Sequence, residues 1–219
     1  LSDARKILDS VHELRSKAIA IEEGLELEIS MVVTAICPTH ILITLGQAFQ
    51  EKFPTVPLRI QTGIMEEVAA QVLDGTSQIG IIGPVGLNST SLQKKFLTHI
   101  SMFPVAASNH PLAKKSIPLT RADILNQVQI VIAHKSHNES SSSANIMSRQ
   151  IWRVADATTK LELIEAGLGW GYLPLDKVGA GFKNKTLSKL TLEEHRPEPM
   201  LVPLSCISNT ACPPGPATL

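Results

Sequence analysis

Four short stretches of this 219-residue chain place small, hydroxyl-bearing or charged residues directly after apolar runs: Ile36-Cys37-Pro38-Thr39, Gly63-Ile64-Met65, Gly83-Pro84-Val85 and His134-Lys135-Ser136. The chemistry they suit is capture rather than turnover. Each follows a segment that reads as a buried strand, and where parallel strands end, the unpaired amides of the next helix collect oxyanions. Pro38 suits the first helical position, where a missing amide hydrogen is not needed, leaving Cys37 near the cap and Thr39 toward a carboxylate or sulfate-like group. Glycine at 63 and 83 lets a ligand approach the backbone. Met65 offers an adaptable thioether, while Lys135 and Ser136 offer a charge and a hydroxyl. Asp156-Ala157 opens a further helix and Trp170 follows a glycine turn. Both are candidates for the same ligand, Asp156 competing with a capping role and Trp170 with packing.

No catalytic residues are expected. A nucleophile beside a base, a metal set or a carboxylate pair is not legible, and Gly-x-Ser-x-Gly, His-Glu-x-x-His and Walker sequences are absent. Of the seven histidines only His134 and His137 lie close together, in a serine-rich loop without metal-ligand spacing. Cys37, Cys206 and Cys212 are too few and too unevenly placed for a disulfide framework or a zinc site, so they read as reduced thiols. Neither a metal nor a cofactor is expected. Lys plus Arg and Asp plus Glu balance at 20 each, which leaves no electrostatic footprint for nucleic acid or an anionic membrane. No apolar run approaches the ~20 residues that span a bilayer, and the first 25 residues mix charges unlike a secretory signal. The expected location is cytoplasmic, with no membrane partner.

The elements that must position these residues follow from periodicity. Ile7, Val11, Leu14, Ala18 and Ile21 form a heptad seam, predicting a linker and dimerisation helix over residues 1–24. After Gly24 strands and helices alternate: a strand over 25–35, a helix over 38–53, a strand over 56–62, a helix over 65–73 and a strand over 79–82. A strand over 97–107 leads to a second round, with a helical start at 122–126, strands at 128–133 and 151–155, a helix from 157 stopped by Gly167 and Gly169, and a strand from Trp170. Residues 200–207 read as a strand returning to the first half. The spacing predicts an α/β protein of two Rossmann-like lobes joined by two crossover strands, near 101–104 and 196–200. Lobe I would comprise 25–101 with 200–219, and lobe II 102–199, a small molecule being received between them as in periplasmic binding proteins.

Three segments carry a family resemblance: Phe49-Gln50-Glu51-Lys52-Phe53-Pro54-Thr55-Val56-Pro57-Leu58, Asn109-His110-Pro111-Leu112-Ala113, and Ala166-Gly167-Leu168-Gly169-Trp170-Gly171-Tyr172-Leu173-Pro174. In this order and spacing the chain resembles the effector-binding domain of LysR-type transcriptional regulators. The resemblance implies a small, anionic effector bound in the interlobe cleft, a homodimer or homotetramer, and DNA binding only through an N-terminal winged helix-turn-helix absent from this sequence. It also implies side-by-side dimers in which the helix over 38–53 contributes Ile41, Leu45 and Ala48. A solute-binding protein feeding a transporter and an enzyme on the same architecture are the alternatives. The first lacks its secretion signal; the second would show turnover of its bound molecule. The proline-rich end, Cys212 to Pro216, does not read as the family's final helix.

Overall fold

Short apolar runs rich in Val and Ile pair as strands, and the amphipathic segments between them wind back over the sheet as helices. The computed structural model describes residues 26–84, 89–115, 118–132, 145–194, 199–212 and 215–218. The helix expected over 1–24 and the candidates His134, Lys135 and Ser136 therefore lie outside the described residues. Two units divide the chain. One holds the described residues of Leu1–Ile82, Gly86–Phe96 and Ser205–Leu219, and the other those of Gly83–Val85 and Leu97–Leu204.

In the first unit, β1 (Ile29–Thr34) lies between β2 (Leu58–Gly63) and β3 (Ile79–Ile82), parallel to both. Helix α1 (Thr39–Lys52) connects β1 to β2, and α2 (Met65–Leu73) connects β2 to β3. Five of the six β1 side chains are buried, as a strand covered on both faces requires. Ile29, Val56 and Ala217 form a small core to which Phe49, Phe53 and Leu58 add their rings and methyls. The last strand, β9 (Met200–Asn209), runs antiparallel to β3, with Ile82 opposite Ser205 and Ile79 opposite Ser208.

In the second unit, β5 (Val128–Ile132) pairs in parallel with β6 (Gln150–Val154) on one side and β7 (Trp170–Pro174) on the other. β7 runs antiparallel to the latter part of β4 (Leu92–Ala107), which also holds β8 (Leu187–Lys189). Helices α3 (Arg121–Leu125), α4 (Ala157–Glu165) and α5 (Leu175–Lys183) complete it. Val105, Ile130, Ala157, Ile164, Leu173, Val178 and Leu187 form its core. The division between units falls inside β4 and β9, after Phe96 and after Leu204.

Four elements differ from the sequence expectation. β4 starts at Leu92 instead of residue 97, because its first half carries Lys94 and Lys95 and shows solvent most of its side chains, so no apolar alternation marks it. β1 starts at Ile29, not residue 25. α5 and β8 were not anticipated: Gly179 and Gly181 interrupt α5, yet Val178 and Gly181 are buried, and Gly181 lets Leu187 of β8 approach it.

Gly169 and Gly171 flank the start of β7 where the sheet leaves no volume. A Cβ at Gly169 would stand 2.5 Å from the Val128 carbonyl oxygen, and backbone cannot yield as a side chain can. Gly169→Ala is expected to destabilise the chain by about 1–3 kcal/mol, seen as a lower melting temperature. An unchanged melting temperature would contradict this packing.

Candidate functional site

The parallel register of the first unit aligns its candidate residues. Thr34, the last residue of β1, pairs with Gly63, the last of β2, and Ala35 N–H continues the ladder to the Gly63 carbonyl at 3.1 Å. A tight turn follows, in which Cys37 N–H donates to the Thr34 carbonyl at 2.8 Å. Pro38 then stands as the N-cap of α1 with φ −64° and ψ 135°, one place earlier than the first helical position expected from sequence. Its fixed φ serves there equally, because the extended ψ is what turns the chain into the helix. Ile36 is half-buried, Cys37 and Pro38 are buried, and Thr39 is exposed.

The two helices that begin on this edge differ in one respect. At α2, Glu67 reaches back so that its Oε2 accepts the Ile64 N–H at 3.2 Å, filling that helix start with a carboxylate of the protein's own. At α1 no side chain makes a cap. Met65 is the first residue of α2, Gly63 is buried under Glu67, and Gly83 and Pro84 follow directly on β3, Gly83 buried and Pro84 exposed.

In the second unit, Asp156 caps α4. Its Oδ1 accepts the N–H groups of Thr158 at 2.8 Å and Thr159 at 2.9 Å, and its Oδ2 accepts the Thr159 hydroxyl at 2.8 Å. These bonds, led by those from Thr159, hold its carboxyl below the ordinary range. Ala157 is buried in the core. Trp170 is fully enclosed, its indole Nε1 donating to Ser148 Oγ at 3.0 Å, so its contribution is architectural.

That tryptophan belongs to a network the sequence did not announce. Ser148 Oγ donates to the Ile124 carbonyl at 2.8 Å, while buried Gln129 on β5 binds the Asn145 carbonyl through Nε2 at 2.6 Å. Gln129 Oε1 accepts from Met147 N–H at 2.8 Å and Ser148 N–H at 3.1 Å. Tyr172 OH reaches Met147 Sδ at 3.6 Å, and burial, with the Glu194 charge, pushes the phenol up to about 12. The segment 145–148 is thereby fixed to β5 and β7. The only sequence signal was a glutamine inside an otherwise apolar strand. Among the residues in Asn109 to Ala113, His110 is structural: its Nδ1 accepts the Leu112 N–H at 3.2 Å, and burial lowers its pKa.

Among the described residues no group of His, Cys, Asp and Glu is arranged to hold a metal, and no helix is long and apolar enough to cross a membrane. The arrangement offers bonding sites for a ligand, with oriented amides and small residues on one edge.

Comparison with known proteins agrees with this architecture. Residues 22–218 match the family model described as LysR substrate binding domain. The chain is 30% identical over 177 residues to the uncharacterized HTH-type transcriptional regulator YeeY of Escherichia coli K12, covering 80% of this chain and 57% of that protein. It is 28% identical over 179 residues to the multiple virulence factor regulator MvfR of Pseudomonas aeruginosa PAO1, covering 81% of this chain and 52% of the relative. The chain thus spans about half the length of these curated relatives. Among solved structures, the effector-binding domain of QuiR in complex with shikimate superposes with a TM-score of 0.67 at 18% identity, covering 87% of this chain and 91% of that one.

The Asp156 cap generates a prediction that is independent of any ligand. Asp156→Ala is expected to lower stability at pH 7 by about 0.5–2 kcal/mol. Because the folded-state pKa is depressed, the cap's contribution is complete above the unfolded value near 4 and is lost as pH falls through the lower folded-state pKa. Melting curves of parent and variant should converge as pH falls below the ordinary aspartate value; a gap that stays constant with pH would contradict an ionised cap.

Proposed function

Because the chain belongs to the family of LysR substrate-binding domains, we propose that it is the effector-sensing part of a transcriptional regulator, taking a small anionic molecule at its strand ends. The observation that carries this reading is the start of α1: alone of the two helix starts on that edge it lacks a side-chain cap, and Ile36, Cys37, Pro38, Thr39, Gly63 and Met65 are gathered around it by the register of β1 and β2. An anion there would be bound by the oriented amides of the helix start and favoured by its partial positive charge. Gly83, Pro84, Ala157, His134, Lys135 and Ser136 remain candidate ligand contacts on sequence grounds, while Asp156 and Trp170 support their neighbours. The effector is the only small molecule the reading requires; no cofactor enters it and no catalytic step is assigned.

Regulation then requires two populated arrangements of which the effector favours one. DNA contact is assigned to a winged helix-turn-helix outside these residues, consistent with curated relatives of which the match covers 57% and 52%, one of them described as HTH-type. The location proposed is the cytoplasm. The partner proposed is a second copy, in a homodimer or homotetramer. α1 has no fully buried residue; Ile41 and Leu45 are half-buried and Ala48 is exposed. Ile43 on the same helix is 55% exposed, and Ile60 of the outer strand β2 and Trp152 of the outer strand β6 are exposed as well. Apolar groups of this size facing solvent on a helix and on edge strands favour a protein partner.

Two measurements test the reading. A thermal-shift screen with small carboxylates, aromatic acids and sulfur oxyanions should raise the melting temperature through binding to the folded state, and Thr39→Ala should weaken that shift. A Thr39→Ala response equal to the parent's would remove α1 from the site. Light scattering should give a dimer or tetramer at tens of micromolar, and Ile43→Glu should shift it toward monomer. A parent that is strictly monomeric would contradict the interface.

A further inference from the structure

α4 packs on β5 and β7 through Ala157, Lys160 and Ile164, the i, i+3, i+7 spacing of a core stripe. Its middle member is a lysine that is only 6% exposed. Gly171 makes the room. A Cβ there would stand 2.8 Å from Lys160 Cε and 3.3 Å from Nζ, so the methylenes of the lysine lie against the bare backbone of β7. Among the described residues the ammonium makes no hydrogen bond and no ion pair. Burial is the sole cause that moves its pKa, down to about 8, with no carboxylate acting to raise it again.

An isolated buried charge is expensive, and a methionine would fill the same volume without that cost. No side-chain nitrogen or oxygen of the described residues is both sealed from solvent and unpartnered, so the small surface that Lys160 keeps includes Nζ. The ammonium is therefore reachable by something small. Of the acids near it along the chain, Glu162 is exposed, and Asp156 has both oxygens engaged at the start of α4. α4 itself begins just after β6 ends, on the edge where parallel strands receive ligands.

We propose that Lys160 is the anchoring cation for an anionic effector, a carboxylate or a phosphate ester, whose negative group becomes the missing partner of the buried ammonium. This rests on the effector-sensing reading and gives the second unit an anion contact of its own. In a site of low dielectric a charge-assisted hydrogen bond to such a group is stronger than the same bond in water.

The test uses the chain 1–219, its Lys160→Met variant, and the probes benzoate, shikimate and inorganic phosphate, with benzamide as the uncharged control. Without ligand, Lys160→Met should melt at the same temperature as the parent or higher, since a lone charge gives way to a thioether of similar volume. At least one anion should raise the melting temperature of the parent, and the variant should need tenfold more of it or fail to respond. In protein labelled with carbon-13 at lysine Cε, the resonance missing from the variant should move as that anion is added, and should stay in place with benzamide. A melting temperature several degrees lower for Lys160→Met would overturn the proposal, because it would mean that an acid of the protein already pairs with the lysine. An anion response equal in parent and variant would overturn it too, while leaving effector sensing intact. No response of the parent to any of the three anions would overturn the anion class. Effector sensing itself fails only if charged and uncharged metabolite panels alike leave the parent unchanged.

Discussion

Parallel pairing obliges every strand in a group to finish on the same edge, and the rest of this structure depends on that constraint. β1 and β2 end level with each other at Thr34 and Gly63, so the turn after β1 and the start of α2 have to stand side by side. The same rule operates where β5, β6 and β7 run parallel. Each connection returns as a helix, and each helix must begin on the edge where its strand ended. Amide groups that a helix cannot satisfy internally are thus concentrated on one side of each unit by topology alone.

What the chain does with those helix starts differs from place to place. Glu67 serves α2, Asp156 serves α4 and Thr120 serves α3. α1 begins on Pro38 and α5 on Pro174, neither of which brings an acceptor side chain. The second unit spends its polar groups on holding backbone: Gln129, Ser148 and Trp170 tie the segment 145–148 to the centre of the sheet. Against this economy of satisfied partners, Lys160 stands apart as a polar group in the core that meets none.

Much of the order of elements was legible because β-branched runs such as Met31 to Thr34 and Ile79 to Ile82 are short, apolar and bounded by turn residues, while α2 begins and ends where its pattern does, at Met65 and Leu73. Gly167 was read as a helix stop, and it takes φ +79° just past the end of α4, a conformation that costs glycine little. The elements that escaped notice did so for physical reasons. α5 carries two glycines that weaken its pattern, and the first half of β4 lacks alternation because most of it faces water.

The site was legible in outline, since strand ends could be counted, but not in its chemistry. Lysine inside a helix reads as solvated, and only the three-dimensional packing shows Lys160 enclosed at 6% exposure. The space that admits the lysine comes from Gly171, eleven positions away on a different element, a relation that no local spacing encodes.

The central claim is that oriented amides at the start of α1 receive a small molecule. Hydrogen exchange of the chain, with and without a saturating concentration of whichever acid raises its melting temperature most, tests this directly. The account predicts slower exchange at the amides of Thr39 and His40 beyond any slowing general to the chain. Protection confined to other elements, with those amides unchanged, would contradict it.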